Sequence, residues 1–131
     1  MLVVDASVLV VALLDDGEAG RRARSRLRGE QLCAPAIIDL EVISAVRRLL
    51  VADAVTTSRA DAAVVDLAAL PVERVLHRRL LHRCWALRHT VMPYDAAYVA
   101  LAEALTVPLL TADARLAGAP GIGCTVELLA S

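Results

Sequence analysis

The chain has no lysine and no phenylalanine among its 131 residues, and it has only one tryptophan and two tyrosines. Without phenylalanine, the hydrophobic core must be built from aliphatic side chains, mainly Ala, Val and Leu. Because lysine is absent, all fourteen basic residues are arginine, which is always charged and binds phosphate in a bidentate fork. The small number of aromatic rings argues against a surface that binds nucleic acid by extensive base stacking.

The chain also lacks the cysteine and charge patterns of several protein classes. Its three cysteines, Cys33, Cys84 and Cys124, form no CxxC pair, which argues against a zinc site or a disulfide framework and predicts free thiols in a reducing cytoplasm. The apolar stretch at residues 2–14 is interrupted by Asp5 and is too short to cross a bilayer, so we expect neither a signal peptide nor a membrane anchor. The formal net charge of −1 gives no overall attraction to a polyanion.

The order of apolar runs and amphipathic stretches predicts an α/β fold in a single domain, residues 1–131. Strands are predicted at residues 2–4, 31–34, 72–75, 108–111 and 124–128. Helices are predicted at residues 6–14, 18–28, 35–50, 58–70, 77–89, 94–105 and 112–117, with Ser58 capping the fourth. Strands and helices that alternate in this way form a sandwich around a mostly parallel sheet.

Two acidic residues stand directly after predicted strands. Asp5 ends the first apolar run, and Asp113 follows the fourth. In open parallel sheets, ligands bind at the carboxyl ends of the strands, near a switch in strand order. The hydroxyl of Thr111 would point to the same side as Asp113, and Ser7 is placed in the same way relative to Asp5. Either acid could instead cap the helix that follows it, which is a sufficient role for a single aspartate.

Two more acidic residues lie near the starts of predicted helices. Glu41 lies beside Ile38 on the apolar side of its helix, where a carboxylate is costly unless it is paired or binds a ligand. Its alternative role is that of a boundary residue paired with Arg48. Asp95 lies in the first turn of the helix at residues 94–105, where an acid either stabilises the helix terminus or is held rigidly for metal binding.

Together these carboxylates predict a metal site at one edge of the sheet. The four residues are Asp5, Glu41, Asp95 and Asp113. Acids that converge without basic partners repel one another unless a divalent cation holds them. A carboxylate-held Mg²⁺ or Mn²⁺ is a standard device for phosphate chemistry.

Arginine-rich segments are the candidates for phosphate attraction, which an acidic pocket cannot supply. Two predicted helices, at residues 18–28 and 77–89, carry most of the arginines. The alternative for both is a solvated helix face, the usual fate of a charge run. All three histidines fall in the second segment, but they form no HxxxH or HxH pattern.

The acidic residues occur within motifs that are typical of one family. The motifs are Val3-Val4-Asp5-Ala6-Ser7, Asp39-Leu40-Glu41-Val42, Tyr94-Asp95-Ala96-Ala97-Tyr98 and Leu110-Thr111-Ala112-Asp113-Ala114-Arg115-Leu116. They occur in order along the whole chain, together with the run Leu70-Pro71-Val72-Glu73-Arg74. In these motifs the chain resembles the PIN-domain ribonucleases, and most closely the VapC-type toxins of bacterial toxin–antitoxin pairs.

This resemblance implies a PIN-like three-layer α/β/α sandwich, with the four acids forming its acidic pocket. It implies dependence on Mg²⁺ or Mn²⁺, an RNA substrate such as tRNA or rRNA, homodimerisation, and inhibition by a cognate VapB-type antitoxin. Residues 37–70 are the candidate dimer surface, because so aliphatic a chain is expected to bury an apolar face against a partner. Ala114 stands where some relatives carry a further acid, which leaves four ligands.

The expected activity is metal-assisted hydrolysis of an RNA phosphodiester bond. Asp5 and Asp95 would hold the principal ion. Asp113 and Glu41 would complete its shell, and Glu41 is the candidate to orient or deprotonate the attacking water. With water as the nucleophile, the products are a 3′-hydroxyl and a 5′-phosphate.

Two other functional classes remain as alternatives. Another Mg²⁺-dependent phosphohydrolase, such as a haloacid dehalogenase-type phosphatase, needs a DxD pattern and a basic residue near the phosphate. Here Asp5 is followed by Ala6 and Ser7, and the chain has no lysine. The second alternative is a non-catalytic RNA- or protein-binding PIN module, and the presence of all four acids argues against such a decayed pocket.

Overall fold

Five short parallel strands form the centre of the protein. They are β1 (Leu2–Val4), β2 (Leu32–Pro35), β3 (Val72–Val75), β4 (Leu109–Thr111) and β5 (Val126–Leu128). Their order in the sheet is β3-β2-β1-β4-β5, and every neighbouring pair is parallel. The structure is a computed structural model that describes residues 1–130. The predicted α/β fold around a parallel sheet is confirmed.

Seven α-helices within residues 1–130 connect and cover these strands. They are α1 (Ala6–Leu14), α2 (Glu18–Leu27), α3 (Ile38–Val51), α4 (Thr57–Ala69), α5 (Leu81–Ala86), α6 (Pro93–Leu105) and α7 (Ala114–Ala117), with a 3-10 helix (Arg78–Leu80) before α5. Helix α1 packs against α2, α3 and α4, whereas α6 packs on β1 and β2 with α5 beside it. The sheet lies between two helical layers, as the three-layer sandwich requires. None of the helices in this part of the chain is long and apolar enough to cross a membrane.

Strand β1 occupies the middle of the sheet. All its residues are at most 1% exposed, as expected for a strand covered on both faces. Val3 pairs with Cys33 of β2 on one side and with Leu109 of β4 on the other. The strand order reverses at this point, so the carboxyl ends of β1 and β4 flank a topological switch point. Asp5 and Asp113 follow these two strand ends.

Helix α6 is buried along its middle and holds the next site residues. Every residue from 96 to 102 is buried, and most are Ala or Val, which lets the helix lie close to the sheet. Pro93 occupies the first helical position, which suits its fixed φ angle. Thr106, at φ 55°, ends the helix in the left-handed region. Tight packing on both sides therefore fixes the direction in which Asp95 and Tyr98 point.

The predicted helix at residues 77–89 is the largest difference between sequence and structure. A 3-10 turn at Arg78–Leu80 leads into only six α-helical residues, Leu81–Ala86, and turns follow. Leu80 and Leu87 are the buried side chains of this stretch. With so few apolar contacts to hold it, a longer helix would have had little packing to stabilise it.

Two predicted helix starts were also wrong. Pro35 is the last residue of β2, because the sheet continues through a hydrogen bond from the Ala36 amide to the Val75 carbonyl at 2.8 Å. Helix α4 is capped by Thr56, whose hydroxyl accepts from the Arg59 amide at 3.1 Å, so Ser58 lies inside the helix. Either hydroxyl residue suits the cap, and the turn before the helix decides between them.

Arg74 in β3 joins two helices to the edge of the sheet. Its guanidinium contacts both carboxylate oxygens of Asp39 in α3, at 3.0 to 3.2 Å. It also donates to the carbonyls of Leu67, Leu70 and Val72, at 2.7, 2.8 and 3.0 Å. Arg74 therefore has a structural role, and the Asp39 carboxylate is occupied by its ion pair with Arg74.

We predict that Arg74→Ala lowers the free energy of unfolding by about 1–3 kcal/mol, because charge-assisted hydrogen bonds are lost and half-buried carbonyls lose their donor. Arg79→Ala is the matched control, since Arg79 is exposed and makes no ion pair within residues 1–130. It should change stability by less than about 0.5 kcal/mol. Urea denaturation measures both, and equal effects of the two substitutions would contradict the structural role of Arg74.

Candidate functional site

The Asp5 carboxylate is buried at the carboxyl end of the central strand. Its Oδ2 atom accepts from the hydroxyl of Ser7 at 2.6 Å and from that of Thr111 at 2.8 Å. Asp5 stands at the position before α1, but its side chain makes no capping hydrogen bond, so the capping role is wrong. Only 6% of Asp5 is exposed, and its hydrogen bonds from residues 1–130 all fall on Oδ2. The Oδ1 atom is therefore left for another ligand.

The same two hydroxyls join the tips of β1 and β4. Ser7 accepts a hydrogen bond from the Ala112 amide at 3.0 Å, and Thr111 accepts one from the Asp113 amide at 3.0 Å. Each hydroxyl thus accepts a hydrogen bond from a backbone amide, so its own proton points towards the Asp5 carboxylate. The sequence placed these hydroxyls on the side of the acids, but it did not reveal that both bind the Asp5 carboxylate.

Glu41 is half-buried in the first turns of α3. Its Oε1 atom accepts from the hydroxyl of Tyr98 in α6 at 2.7 Å. Burial raises the pKa of Glu41 above its usual range, the Tyr98 hydrogen bond opposes that rise, and the charges of Asp5 and Asp95 add to it. The alternative pairing with Arg48 is not what the structure shows, because Arg48 donates to Ser44 at 3.0 Å.

Tyr98 is a site residue that the sequence did not single out. It is completely buried, and burial together with its bond to Glu41 raises the pKa of its phenol. The phenol therefore stays protonated and always donates. Its spacing of one helical turn from Asp95, as a large side chain in an alanine-rich stretch of the helix, is the signal that could have identified it.

Asp95 projects from the first turn of α6 without a hydrogen bond to its carboxylate from residues 1–130. Burial raises its pKa, the charges of Asp5 and Asp113 raise it further, and Arg115 lowers it. Asp5 therefore acts on both Glu41 and Asp95. The structure brings the four predicted acids into one electrostatically coupled group.

Asp113 differs from the other three acids because it has a basic partner. Its Oδ1 atom accepts from the Arg115 amide at 2.9 Å, which caps α7, and lies 3.3 Å from the Arg115 guanidinium. The hydrogen bond from Arg115 holds its pKa below the usual range. Arg115 is 93% exposed, so this guanidinium can exchange its contact with Asp113 for one with an incoming anion.

Two open clefts border these acids. One of about 200 Å³ is lined by Asp95, Asp113 and Arg115, together with residues 90–92. The other, of about 420 Å³, is lined by Glu41 and Tyr94, among others. A larger groove of about 760 Å³ is lined by residues 28–30 and 69–71, which precede β2 and β3, so it lies at the opposite edge of the sheet.

The acids suit a hard divalent cation by donor type. Mg²⁺ and Mn²⁺ take oxygen ligands, and the group offers four carboxylates beside two hydroxyls. In the conformation described for residues 1–130, no three His, Cys, Asp or Glu side chains are close enough together to hold a metal ion. The donor chemistry and the electrostatic coupling favour a metal site, and the carboxylates would have to move closer together to form it.

Sequence comparisons identify relatives along almost the whole chain. The model of the PIN domain family matches residues 2–122. Ribonuclease VapC1 of Mycobacterium tuberculosis is 44% identical over 128 residues, which cover 97% of this chain and 96% of the relative. Ribonuclease VapC12 of the same species is 42% identical over 130 residues, or 99% of this chain and all of the relative.

Comparison with solved structures gives the same fold. A toxin–antitoxin complex from Klebsiella pneumoniae matches with a TM-score of 0.69 at 20% identity, covering 100% of this chain and 99% of the other. VapBC2 from Rickettsia felis, bound to a DNA fragment from its promoter, matches with a TM-score of 0.69 at 12% identity and 98% coverage of both chains. The sheet order, the family match and the sequence identity agree, and this chain belongs to the PIN domain family.

Proposed function

We propose that this chain is a metal-dependent endoribonuclease toxin that hydrolyses RNA phosphodiester bonds and is neutralised by a cognate antitoxin. The observation that carries the proposal is the coupled group of four acids at the switch point of the sheet, with Asp5 held by two hydroxyls. Relatives named as ribonucleases, at 38–44% identity, support the same activity. We take residues 1–131 as one catalytic unit acting in the cytoplasm, where cellular RNA is found.

The proposed cation is Mg²⁺ or Mn²⁺, held mainly by Asp5 and Asp95, with Asp113 and Glu41 completing its shell directly or through water. Such an ion lowers the pKa of a bound water and offsets negative charge on the phosphate. Ser7 and Thr111 fix Oδ2 of Asp5, which leaves Oδ1 in a constant position for ligation. Asp95 accepts no competing hydrogen bond from residues 1–130, so its carboxylate is also free to bind.

Glu41 is the proposed general base. Its raised pKa brings the carboxylate closer to the range in which it can accept a proton from water near neutral pH. Tyr98 holds Oε1, so Oε2 is the atom that faces the water. The water loses a proton to Glu41 and attacks phosphorus, the bond from phosphorus to the 3′-oxygen breaks, and the leaving 3′-oxygen takes up a proton from solvent. The products are a 3′-hydroxyl and a 5′-phosphate.

The protein surface also fits the proposed partners. Several large apolar side chains of α3 and α4 are exposed: Leu40, Ile43, Val51, Val64 and Val65. We propose that this face is buried in a homodimer, since an exposed apolar patch on a small protein usually marks an interface. The structural neighbours from Klebsiella pneumoniae and Rickettsia felis are toxin–antitoxin complexes, which supports a VapB-type antitoxin as the second partner.

The activity is tested by incubating total tRNA and rRNA with purified, antitoxin-free protein in Mg²⁺ or Mn²⁺. We expect discrete fragments that disappear with EDTA, and a loss on the order of 100-fold or more in Asp5→Asn, because one carboxylate ligand is removed. The amide oxygen of asparagine can still accept from Ser7 and Thr111, so the variant should remain folded.

Asp61→Asn is the matched control, since Asp61 is an exposed acid of α4 and lies outside the site. It should cleave at the wild-type rate. Undiminished cleavage by Asp5→Asn, or cleavage that survives EDTA, would contradict the proposed site. Absence of cleavage by folded wild-type protein would favour a non-catalytic PIN module.

Repulsion among the acids gives a second prediction, which concerns the protein in the absence of divalent metal. Asp95 has a raised pKa in the folded protein, so the folded state holds its proton to higher pH than the unfolded state, and stability falls as pH rises above about 4. Asp95→Asn should therefore unfold at a higher temperature than wild type at pH 7 in EDTA. The difference should shrink as the pH falls to 4 and below, where Asp95 becomes protonated in both the folded and the unfolded state.

Thermal unfolding followed by circular dichroism across this pH range measures the effect, with Asp61→Asn as the control that should show no such gain. A variant less stable than wild type at pH 7 would show that Asp95 does not experience net repulsion.

A further inference from the structure

Residues 74–94 have an unusual composition that the proposed catalytic chemistry does not use. The stretch holds five arginines, all three histidines and the one tryptophan of the chain, and it contains no acidic residue. From the sequence alone, this stretch and the arginine-rich helix at residues 18–28 are equal candidates for binding phosphate. In the structure, the two segments differ in how many of their arginines are paired with acids.

The arginines of α2 are mostly occupied by the protein itself. Arg21 and Arg22 pair with Glu18, and Arg26 pairs with both Glu30 and Glu127. In the same helix, Arg24 donates to two backbone carbonyls of α1 and the turn after it. These contacts hold the helix to its surroundings and offset much of its positive charge.

In residues 74–94, two arginines bind acidic side chains and three do not. Arg74 binds Asp39, as described above, and Arg83 binds both oxygens of Glu103 at 2.7 and 3.0 Å. The three others, Arg78, Arg79 and Arg88, are exposed and make no ion pair with an acid in residues 1–130. The net positive charge of this surface therefore remains available for an anionic ligand.

The exposed ring of Trp85 lies within this stretch, in contact with Arg88. Trp85 is 67% exposed, and the Arg88 guanidinium lies 4.6 Å from the ring centroid. A hydrogen bond of 2.9 Å from Arg88 to the Trp85 carbonyl fixes this contact. A flat aromatic ring beside a guanidinium offers a stacking face and a phosphate donor together, as nucleic-acid surfaces do.

Arg88 lies two residues before Thr90, which lines the cleft of Asp95 and Asp113, so the Cα atoms of Arg88 and Thr90 are at most about 7 Å apart. The Arg83–Glu103 pair places α5 along the C-terminal half of α6, and the chain then returns towards the start of α6. Residues 90–92, directly after Arg88, line the cleft that contains Asp95 and Asp113. An RNA strand bound at this cleft would therefore lie close to Arg88.

We propose that Trp85 and Arg88, together with Arg78 and Arg79, bind a single-stranded stretch of RNA next to the cleavage site, with Trp85 stacked on an unpaired base. The inference rests on the proposed ribonuclease function for its substrate. A duplex keeps its bases stacked on one another, so only unpaired bases can cover the ring. The surface contacts phosphate through unpaired guanidiniums, and it therefore selects RNA with an accessible loop or end.

The inference is tested with the Asp5→Asn protein, which should bind RNA without cutting it, and a mixed-sequence single-stranded RNA oligonucleotide. Trp85 is the one tryptophan of the chain, so quenching of tryptophan fluorescence on titration reports stacking on this ring alone. We expect quenching by single-stranded RNA and little by a duplex of the same length. Adding Trp85→Ala should weaken binding about 5- to 100-fold, measured by fluorescence anisotropy of labelled RNA.

Matched variants separate stacking from charge. Trp85→Phe should retain much of the affinity, whereas Arg88→Ala should lower the slope of log Kd against log salt by about 0.7. Arg21→Ala, in helix α2, where Arg21 is paired with Glu18, should leave the affinity and the salt dependence unchanged.

Quenching without cleavage by wild-type protein would support the RNA surface and count against the nuclease. Cleavage at the normal rate by Trp85→Ala, with no quenching by RNA, would overturn the surface and leave the nuclease standing. Quenching by oligoglutamate and not by RNA would overturn it in favour of an acidic protein segment.

Discussion

Repulsion among carboxylates that share one edge of a parallel sheet is the constraint on which the site depends. Burial and the charge of Asp5 raise the pKa of Glu41 and Asp95, so folding places negative charge where it is unfavourable. The fold tolerates this arrangement because two hydroxyls donate to Asp5 and one phenol donates to Glu41. The same hydrogen bonds fix the positions of these carboxylates. Stability is given up locally, and the result is a coupled group of carboxylates in which Asp5 and Glu41 are held in fixed positions.

Outside the site, some charged side chains are neutralised by ion pairs within the protein, whereas others remain unpaired within residues 1–130. Asp39, close to Glu41 in sequence, is neutralised by Arg74 and so does not add to the acidic group. Most arginines of α2 are paired, whereas Arg88 and its neighbours keep their charge near the clefts. A nearly neutral protein thus presents an acidic pocket beside a basic surface. This division gives phosphate attraction without placing a strong basic partner on most of the acids.

Much of the fold followed from the sequence, since short apolar runs and helical periodicity placed all five strands and most helices. The four acids were located because strand ends and family motifs are local signals. The hydroxyl contact between Thr111 and Asp5 was not predictable, because it joins residues 106 positions apart and depends on the register of β1 and β4. Tyr98 was overlooked for the same reason, since its partner lies on another helix. The pairing of arginines was equally hidden, because composition does not show which acids lie within reach.

The central claim is that the four acids form one metal-binding group, and the most direct test is calorimetric titration of Mn²⁺ into metal-free protein. The account predicts saturable binding by wild type, loss of that binding in Asp5→Asn and weaker binding in Asp95→Asn. The exposed-acid variant Asp61→Asn should bind as wild type does. Equal Mn²⁺ affinity in wild type and in folded Asp5→Asn would contradict the claim, because the ion would then be bound elsewhere.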